Sequence, residues 1–348
     1  MKNRLYAFFM ATMLLFVLLG ISSTALSNST SSLDDLDSKT SSQSGISDDT
    51  IIRFPDPIFE AAVRAIISKP KGDIIASDVA GITEIDVFGF DITDLTGIEY
   101  FTALRTLNCG ANFLPNLDFS QNAQLLVLNC SLTGLKTLNV SQCPLLKELY
   151  CDETHLTALD VSQNPALEIL SVYRNDLTTL DVSQNPALGF LGCELNQLTV
   201  LDVSRNPALK VFICSGNKLK TLDVSQNLEL EELSCLGNQL TTLDVGQNST
   251  LIDLSCGQNS LTMLDVSQNE RLEWLACGSN QLMTLDVSRN LTLKNLSCDG
   301  NRLTTLDVSH NSALTFLNCK NNLFSDKSSI VGLDERSLEY LVFEPQGL

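Results

Sequence analysis

The residues able to do chemistry in this chain stand in columns. Ten of its eleven cysteines recur at multiples of one spacing: Cys109, Cys130, Cys151, Cys193, Cys214, Cys235, Cys256, Cys277, Cys298 and Cys319, with Val172 filling the single gap. On a parallel sheet such a column points its side chains one way, ~4.8 Å apart. A disulfide needs Cβ atoms ~3.8 Å apart and inclined towards each other. The spacing therefore favours a buried stack of free thiols over disulfides or a metal cluster, and Val172 shows that a small apolar residue suffices. Cys143 falls outside the column, where other coils mostly carry Asn, and is expected to be a partly exposed free thiol.

Asn112, Asn175, Asn196, Asn217, Asn238, Asn259, Asn280, Asn301 and Asn322 form a second column. Buried at a bend, their amides can satisfy backbone groups of neighbouring coils that nothing else reaches. Thr133 and Thr154 interrupt it early, so those coils are expected to bend differently. A third column is acidic: Asp118, Asp160, Asp181, Asp202, Asp223, Asp244, Asp265, Asp286 and Asp307, with Asn139 in one place. Local turns in which each Asp accepts backbone N–H groups are favoured. Calcium bridging between carboxylates is the alternative.

Catalysis finds no support. His155 and His310 lie in separate coils with no paired nucleophile or metal-ligand spacing, and no Gly-rich phosphate loop occurs. No catalytic residue, metal or cofactor is expected. The net charge of -19 argues against nucleic acid, whose binding rests on Lys and Arg neutralising phosphates.

The elements that position these columns follow from the leucines. Leu104, Leu125, Leu146, Leu167, Leu188, Leu209, Leu230, Leu251, Leu272, Leu293 and Leu314 each begin an L-x-x-L-x-C segment, with Val172 and Phe212 as its two variants, in uniform steps of 21 residues. That period and spacing define a leucine-rich-repeat solenoid. Each coil reads L-x-x-L-x-C-x-x-N-x-L and then L-T-x-L-D-V-S-x-N, so both halves are expected to carry short parallel strands, with little or no helix on the convex side. Residues 104–324 hold these repeats, preceded by a 22-residue transitional coil at 82–103. The segment 51–81 reads as a helical N-terminal cap. Asp56-Pro57 marks its start, and Phe59, Ala62, Val63, Ile66 and Ile67 fall on one face. Residues 325–348 suggest a final coil and end strand at Leu338, Leu341 and Phe343.

Before the cap, residues 1–25 have the form of a signal peptide, with Lys2 and Arg4, an apolar run from Leu5 to Ile21, and small residues at Ser23-Thr24-Ala25. Residues 26–50 are Ser- and Asp-rich and read as a disordered linker. Cleavage is the expectation, leaving a secreted monomer with no membrane segment, and a retained membrane anchor is the alternative.

The outward residues of the first-half strands vary while the frame does not. They place Tyr150, Ile169, Tyr173, Phe190, Val211 and Ile213 in one exposed neighbourhood of the concave face, and Trp274 with Phe316 in a smaller one flanked by Asp253 and Asn295. Apolar and aromatic area of this kind marks a partner site. The candidate ligand is a protein on a host or neighbouring cell. A glycan stacked on Tyr150, Tyr173 and Trp274 is the alternative.

The segment FPDPIFEAAVRAIISKPKGDI resembles the helical N-terminal cap of bacterial internalins, and ITEIDVFGFDITDLTGIEYFTA resembles their 22-residue coil. The repeats from there to Cys319 are similar to the cysteine-ladder (internalin J-type) repeats of that family. The resemblance implies an exported bacterial protein whose solenoid adheres to host or neighbouring cells, with the ten cysteines as a structural ladder. Unlike wall-anchored members, this chain shows no Leu-Pro-x-Thr-Gly motif and no C-terminal apolar tail. Release or loose surface association is therefore expected.

Overall fold

The computed structural model describes residues 47–347. The segment read as a signal peptide, and all but the last four residues of the linker, lie outside the described residues. The repeat body begins with helix α1 (Pro57–Ile66), where Asp56 caps the N-terminus by accepting from the N–H groups of Ile58 and Phe59 at 2.8 and 3.0 Å. The other carboxylate oxygen of Asp56 accepts from the Thr93 N–H and hydroxyl at 2.7 and 2.9 Å, fastening the cap to the first coil. Phe59 and Val63 are buried, and Phe59 packs edge-on against Phe54. Ile66, expected on the same face, is exposed in the last helical turn. A single turn, α2 (Ala76–Val79), follows.

Every coil then contributes one short strand to a 13-stranded parallel sheet. The strands are β1 (Glu84–Asp86), β2 (Thr106–Asn108), β3 (Val127–Asn129), β4 (Glu148–Tyr150), β5 (Ile169–Ser171), β6 (Phe190–Gly192) and β7 (Val211–Ile213). They continue with β8 (Glu232–Ser234), β9 (Asp253–Ser255), β10 (Trp274–Ala276), β11 (Asn295–Ser297), β13 (Phe316–Asn318) and β15 (Tyr340–Val342). Equivalent residues pair from β2 to β13, as in Ile169 with Phe190 and Phe190 with Val211, so each sequence column becomes a physical row. The middle residue of each strand points inward and its two neighbours face the concave side.

One coil shows how the core is filled. Leu188, Leu191, Cys193, Leu198, Leu201 and Val203 are all buried, and their counterparts in adjacent coils stack on them. The cysteines are free thiols packed between leucine rows. Burial pushes Cys109, Cys235 and Cys277 up to about 12, far from the thiolate that would react or bind metal. Phe324 and Phe343 stack at 6.1 Å over the last coil.

Two amide rows stitch the coils together. Asn196 uses both ends of its side chain: Nδ2 donates to the carbonyls of Val172 and Cys193 at 2.9 and 3.1 Å, and Oδ1 accepts from the Leu177 N–H at 3.0 Å. The row repeats this from Asn175 to Asn322, and where it is interrupted Thr133 and Thr154 donate to the carbonyls of Cys130 and Cys151. The residue before each Asn takes a left-handed backbone, including Arg174 (φ 52°) and Leu195 (φ 51°). Glycine supplies that conformation at Gly216, where an added Cβ would also meet Leu195 Cδ2 at 2.5 Å.

The second row runs through Asn122, Asn164, Asn185, Asn206, Asn227, Asn248, Asn269, Asn290 and Asn311, all buried. Asn164 Nδ2 donates to the carbonyls of Val140 and Cys143 at 3.0 and 2.8 Å. Cys143 occupies this row, and it is fully buried, not partly exposed as the sequence suggested. Its thiol faces the carbonyls of Asn122 and Phe119 at 3.7 and 4.0 Å, the acceptors an amide would take. Restoring the amide by Cys143→Asn is expected to raise stability by at most ~1 kcal/mol, two hydrogen bonds less the cost of burying an Oδ1 that, like the others of this row, has no partner. The urea midpoint should rise with an unchanged m-value, and a lower midpoint would show that the thiol fits this site better than the amide.

The expected strands in the second half of each coil form only locally. Among the described residues they amount to bridges at Asn139–Asp160 and Asp286–Asp307 and a two-residue pair, β12 (Leu306–Asp307) with β14 (Ile330–Val331). Elsewhere the D-V-S segment is a turn. Asp181 Oδ1 accepts from the Ser183 N–H at 2.9 Å, and Asp160, Asp202, Asp223, Asp265 and Asp286 repeat the contact. The backbone and hydroxyl of Ser183 hold Asp181 below its usual value despite the neighbouring carboxylates Asp160 and Asp202.

Candidate functional site

The concave face is built from three outward columns: the first and last residue of each strand, and the residue after the cysteine. Strand register brings the predicted patch together. Ile169, Phe190 and Val211 are consecutive partners on β5, β6 and β7. Ile213 pairs with Gly192, and Tyr150 with Ser171. Tyr173 follows Val172 at the strand exit. All six are half-buried, not exposed, because side chains one strand apart cover each other's flanks. Trp274 and Phe316 lie on either side of Asn295 and are also half-buried. Phe316 packs against Tyr340 at 6.4 Å, so this second group extends onto β15, beyond the part legible in the repeat.

Carboxylates are threaded through the aromatics. Glu148 accepts from the Tyr150 hydroxyl at 3.0 Å. Asp152 accepts from the Ser171 hydroxyl and the Tyr173 N–H at 2.6 and 2.7 Å, yet burial pushes it up to about 6. Burial pushes Glu194 up to about 8, with Asp152 and Glu232 adding repulsion. Asp253 rises to about 7 through burial and then the neighbouring Glu232, and Glu232 is itself raised by burial. These acids differ from the turn aspartates, whose backbone bonds pull them down. Sequence columns marked where both sets lie but could not show that one is desolvated.

A further apolar group was not anticipated. Phe88, Phe90, Phe113 and Leu132 are exposed at the strand-exit edge of the first coils, with the Phe88 ring lying over Gly110. The available signal was phenylalanines in turn columns that later coils fill mostly with polar residues or glycine. Among the described residues no group of His, Cys, Asp and Glu could hold a metal ion. No helix among them is long and apolar enough to cross a membrane.

This geometry has close counterparts. The solved functional domain of internalin J from Listeria monocytogenes, described as including a cysteine ladder, superposes with a TM-score of 0.75 at 39% identity, over 83% of this chain and 62% of that one. In its fold and its cysteine-ladder repeat the chain is similar to that internalin domain. A 70-residue stretch of this internalin-like chain is also 39% identical to full-length Listeria monocytogenes internalin J, which is 20% of this chain but only 8% of that protein. The chain thus spans less than two thirds of the solved internalin J domain and matches a small part of the whole. A second Listeria monocytogenes internalin, InlF, shares the fold with a TM-score of 0.67 at 22% identity, over 79% of this chain and 92% of that one. No protein-family profile matches the sequence.

Proposed function

We propose that this internalin-like protein is exported and docks a protein on a host or neighbouring cell against its concave face. The observation that carries this reading is the contrast between an unvarying frame and the side chains it displays. Leucine, cysteine and asparagine rows repeat coil after coil, while Tyr150, Ile169, Tyr173, Phe190, Val211 and Ile213 gather on one face. Clustered aromatic and aliphatic side chains on a rigid support are what a binding hot spot requires. The Trp274–Phe316–Tyr340 group is a second contact region on the same sheet. Export rests on the charged start, apolar run and small residues of positions 1–25.

The test is binding of the full chain to intact host-type and bacterial cells, beside Tyr173→Asp/Phe190→Asp. The double variant is expected to lose at least about tenfold in affinity, since each substitution removes an anchor of the size that carries ~2 kcal/mol or more. Circular dichroism should be unchanged, because both side chains lie outside the core. Equal binding by the two proteins would remove this patch from the function.

A further inference from the structure

The concave face carries carboxyl groups that no lysine or arginine among the described residues pairs with. Ten ion pairs occur among the described residues, and the carboxylates in them do not include Glu148, Asp152, Glu194, Glu232 or Asp253. Beside the strands that carry these acids, basic residues pair at flanking positions, as in Lys147–Glu168 at 2.7 Å, Arg174–Glu153 at 3.2 Å and Lys210–Glu229 at 4.0 Å. Glu194 adds an independent observation. Its Oε2 is shut off from solvent and has no hydrogen-bond partner, a state that costs free energy unless something supplies a donor.

The position of that oxygen is informative. Gly192 is the only glycine at the last strand position between β1 and β11. The gap left by its missing side chain is a notch closed by the Phe190 ring edge and the Glu194 carboxylate. Glu194 Oε2 lies 3.2 Å, and Phe190 Cε1 3.1 Å, from where a Cβ would stand. An incoming ammonium or guanidinium reaches the carboxylate by displacing the ring edge of Phe190. Glu232 and Asp253 are direct neighbours on β8 and β9, two and three strands further along the same face.

We propose that this face receives a cationic protein segment, an extended stretch whose Lys or Arg side chains meet Glu194 at the Gly192 notch and then Glu232 and Asp253. This rests on the concave face being the docking surface. Strands ~4.8 Å apart place β6 and β9 about 14 Å apart, and Glu194 stands further along its strand than Glu232 and Asp253, so about five residues of extended chain at ~3.3 Å each cover the oblique span. Basic residues at alternate positions therefore fall on the side facing the sheet. Anionic lipid and nucleic acid are repelled by the same charge.

The test is calorimetric titration of the full chain with a blocked dodecapeptide of alternating Lys and Ser, with spermine in parallel. Two double variants remove equal formal charge: Glu194→Gln/Asp253→Asn on the face, and Asp223→Asn/Glu229→Gln away from it. The peptide is expected to bind wild type, to lose at least about tenfold with the concave variant, and to change less than about twofold with the other. The groups facing Glu194 are Asp152 and Glu232, Asp253 faces Glu232, and Asp152 faces Glu153; all are acidic. A bound cation draws them to their ionised forms, so association should release protons and strengthen from pH 5.5 to 8.5. Equal losses in both variants, spermine binding as tightly as the peptide, or no peptide binding would overturn the proposal. If the peptide fails while Tyr173→Asp/Phe190→Asp still abolishes cell binding, the docking face stands and its cationic ligand does not.

Discussion

Asn206→Asp is expected to cost at least ~4 kcal/mol, enough to unfold the central coils at moderate urea. Asn206 is fully buried, and its Nδ2 donates to the carbonyls of Val182 and Asn185, both at 2.9 Å. An ionised carboxylate there would face two carbonyl oxygens with no counter-charge. A protonated one offers a single donor for two acceptors. The damage spreads, because the Asn206 carbonyl accepts from Asn227 Nδ2 at 2.9 Å and each coil's order depends on its neighbours. Asn206→Ser, which loses the amide without adding charge, should cost less. An Asn206→Asp midpoint within the error of wild type would mean that the amide row does not hold the coils together.

The second large effect is on pH. Glu194 and Asp253 sit well above their usual values in the folded chain, at about 8 and about 7. Folding therefore favours their protonated forms, and the stability they contribute is fully present below pH ~4 and lost as pH rises through 7 to 8. At ~1.4 kcal/mol per tenfold, keeping Glu194 ionised at pH 8.5 costs on the order of 3–5 kcal/mol. The turn aspartates act in the opposite sense. Asp181, Asp223 and Asp265 are held below 3.8 by backbone bonds, so their contribution fades only as pH falls through that region. The two sets bracket a stability maximum between about pH 4 and 5.5. The urea midpoint should fall from pH 5 to pH 8.5, and Glu194→Gln should raise the unfolding free energy by ~1–3 kcal/mol at pH 8.5 but hardly at pH 5. A flat profile, or a Gln variant less stable at pH 8.5, would show that the carboxyl is better solvated than its surroundings indicate.

What the sequence disclosed depended on whether a residue's environment repeats. The cysteine row was legible because ten copies and one valine define a small apolar site, and sheet geometry then forbids bonding along it. Cys143 was misread as partly exposed because its column is asparagine, a residue usually solvated, whereas here the amides are buried against carbonyls. The D-V-S segment alternates like a strand, but Asp181 captures the Ser183 N–H locally and competes with a ladder. The left-handed row before the asparagines was hidden because Arg174, Leu195 and Gln258 occupy it as well as glycines. On the concave face the columns placed Tyr173 and Phe190 together but gave no sign of the Gly192 notch, which arises from one strand's side chains folding over a gap.

The account stands most directly on where the partner touches. A photoreactive benzoylphenylalanine placed at Ile213, on the concave face, should cross-link the full chain to a cell-surface protein on irradiation. The same group at Val200, exposed in the second half of its coil, should not. Cross-linking from Ile213 alone is the predicted result. Cross-linking from Val200 with none from Ile213 would move the binding surface off the concave sheet and contradict the account.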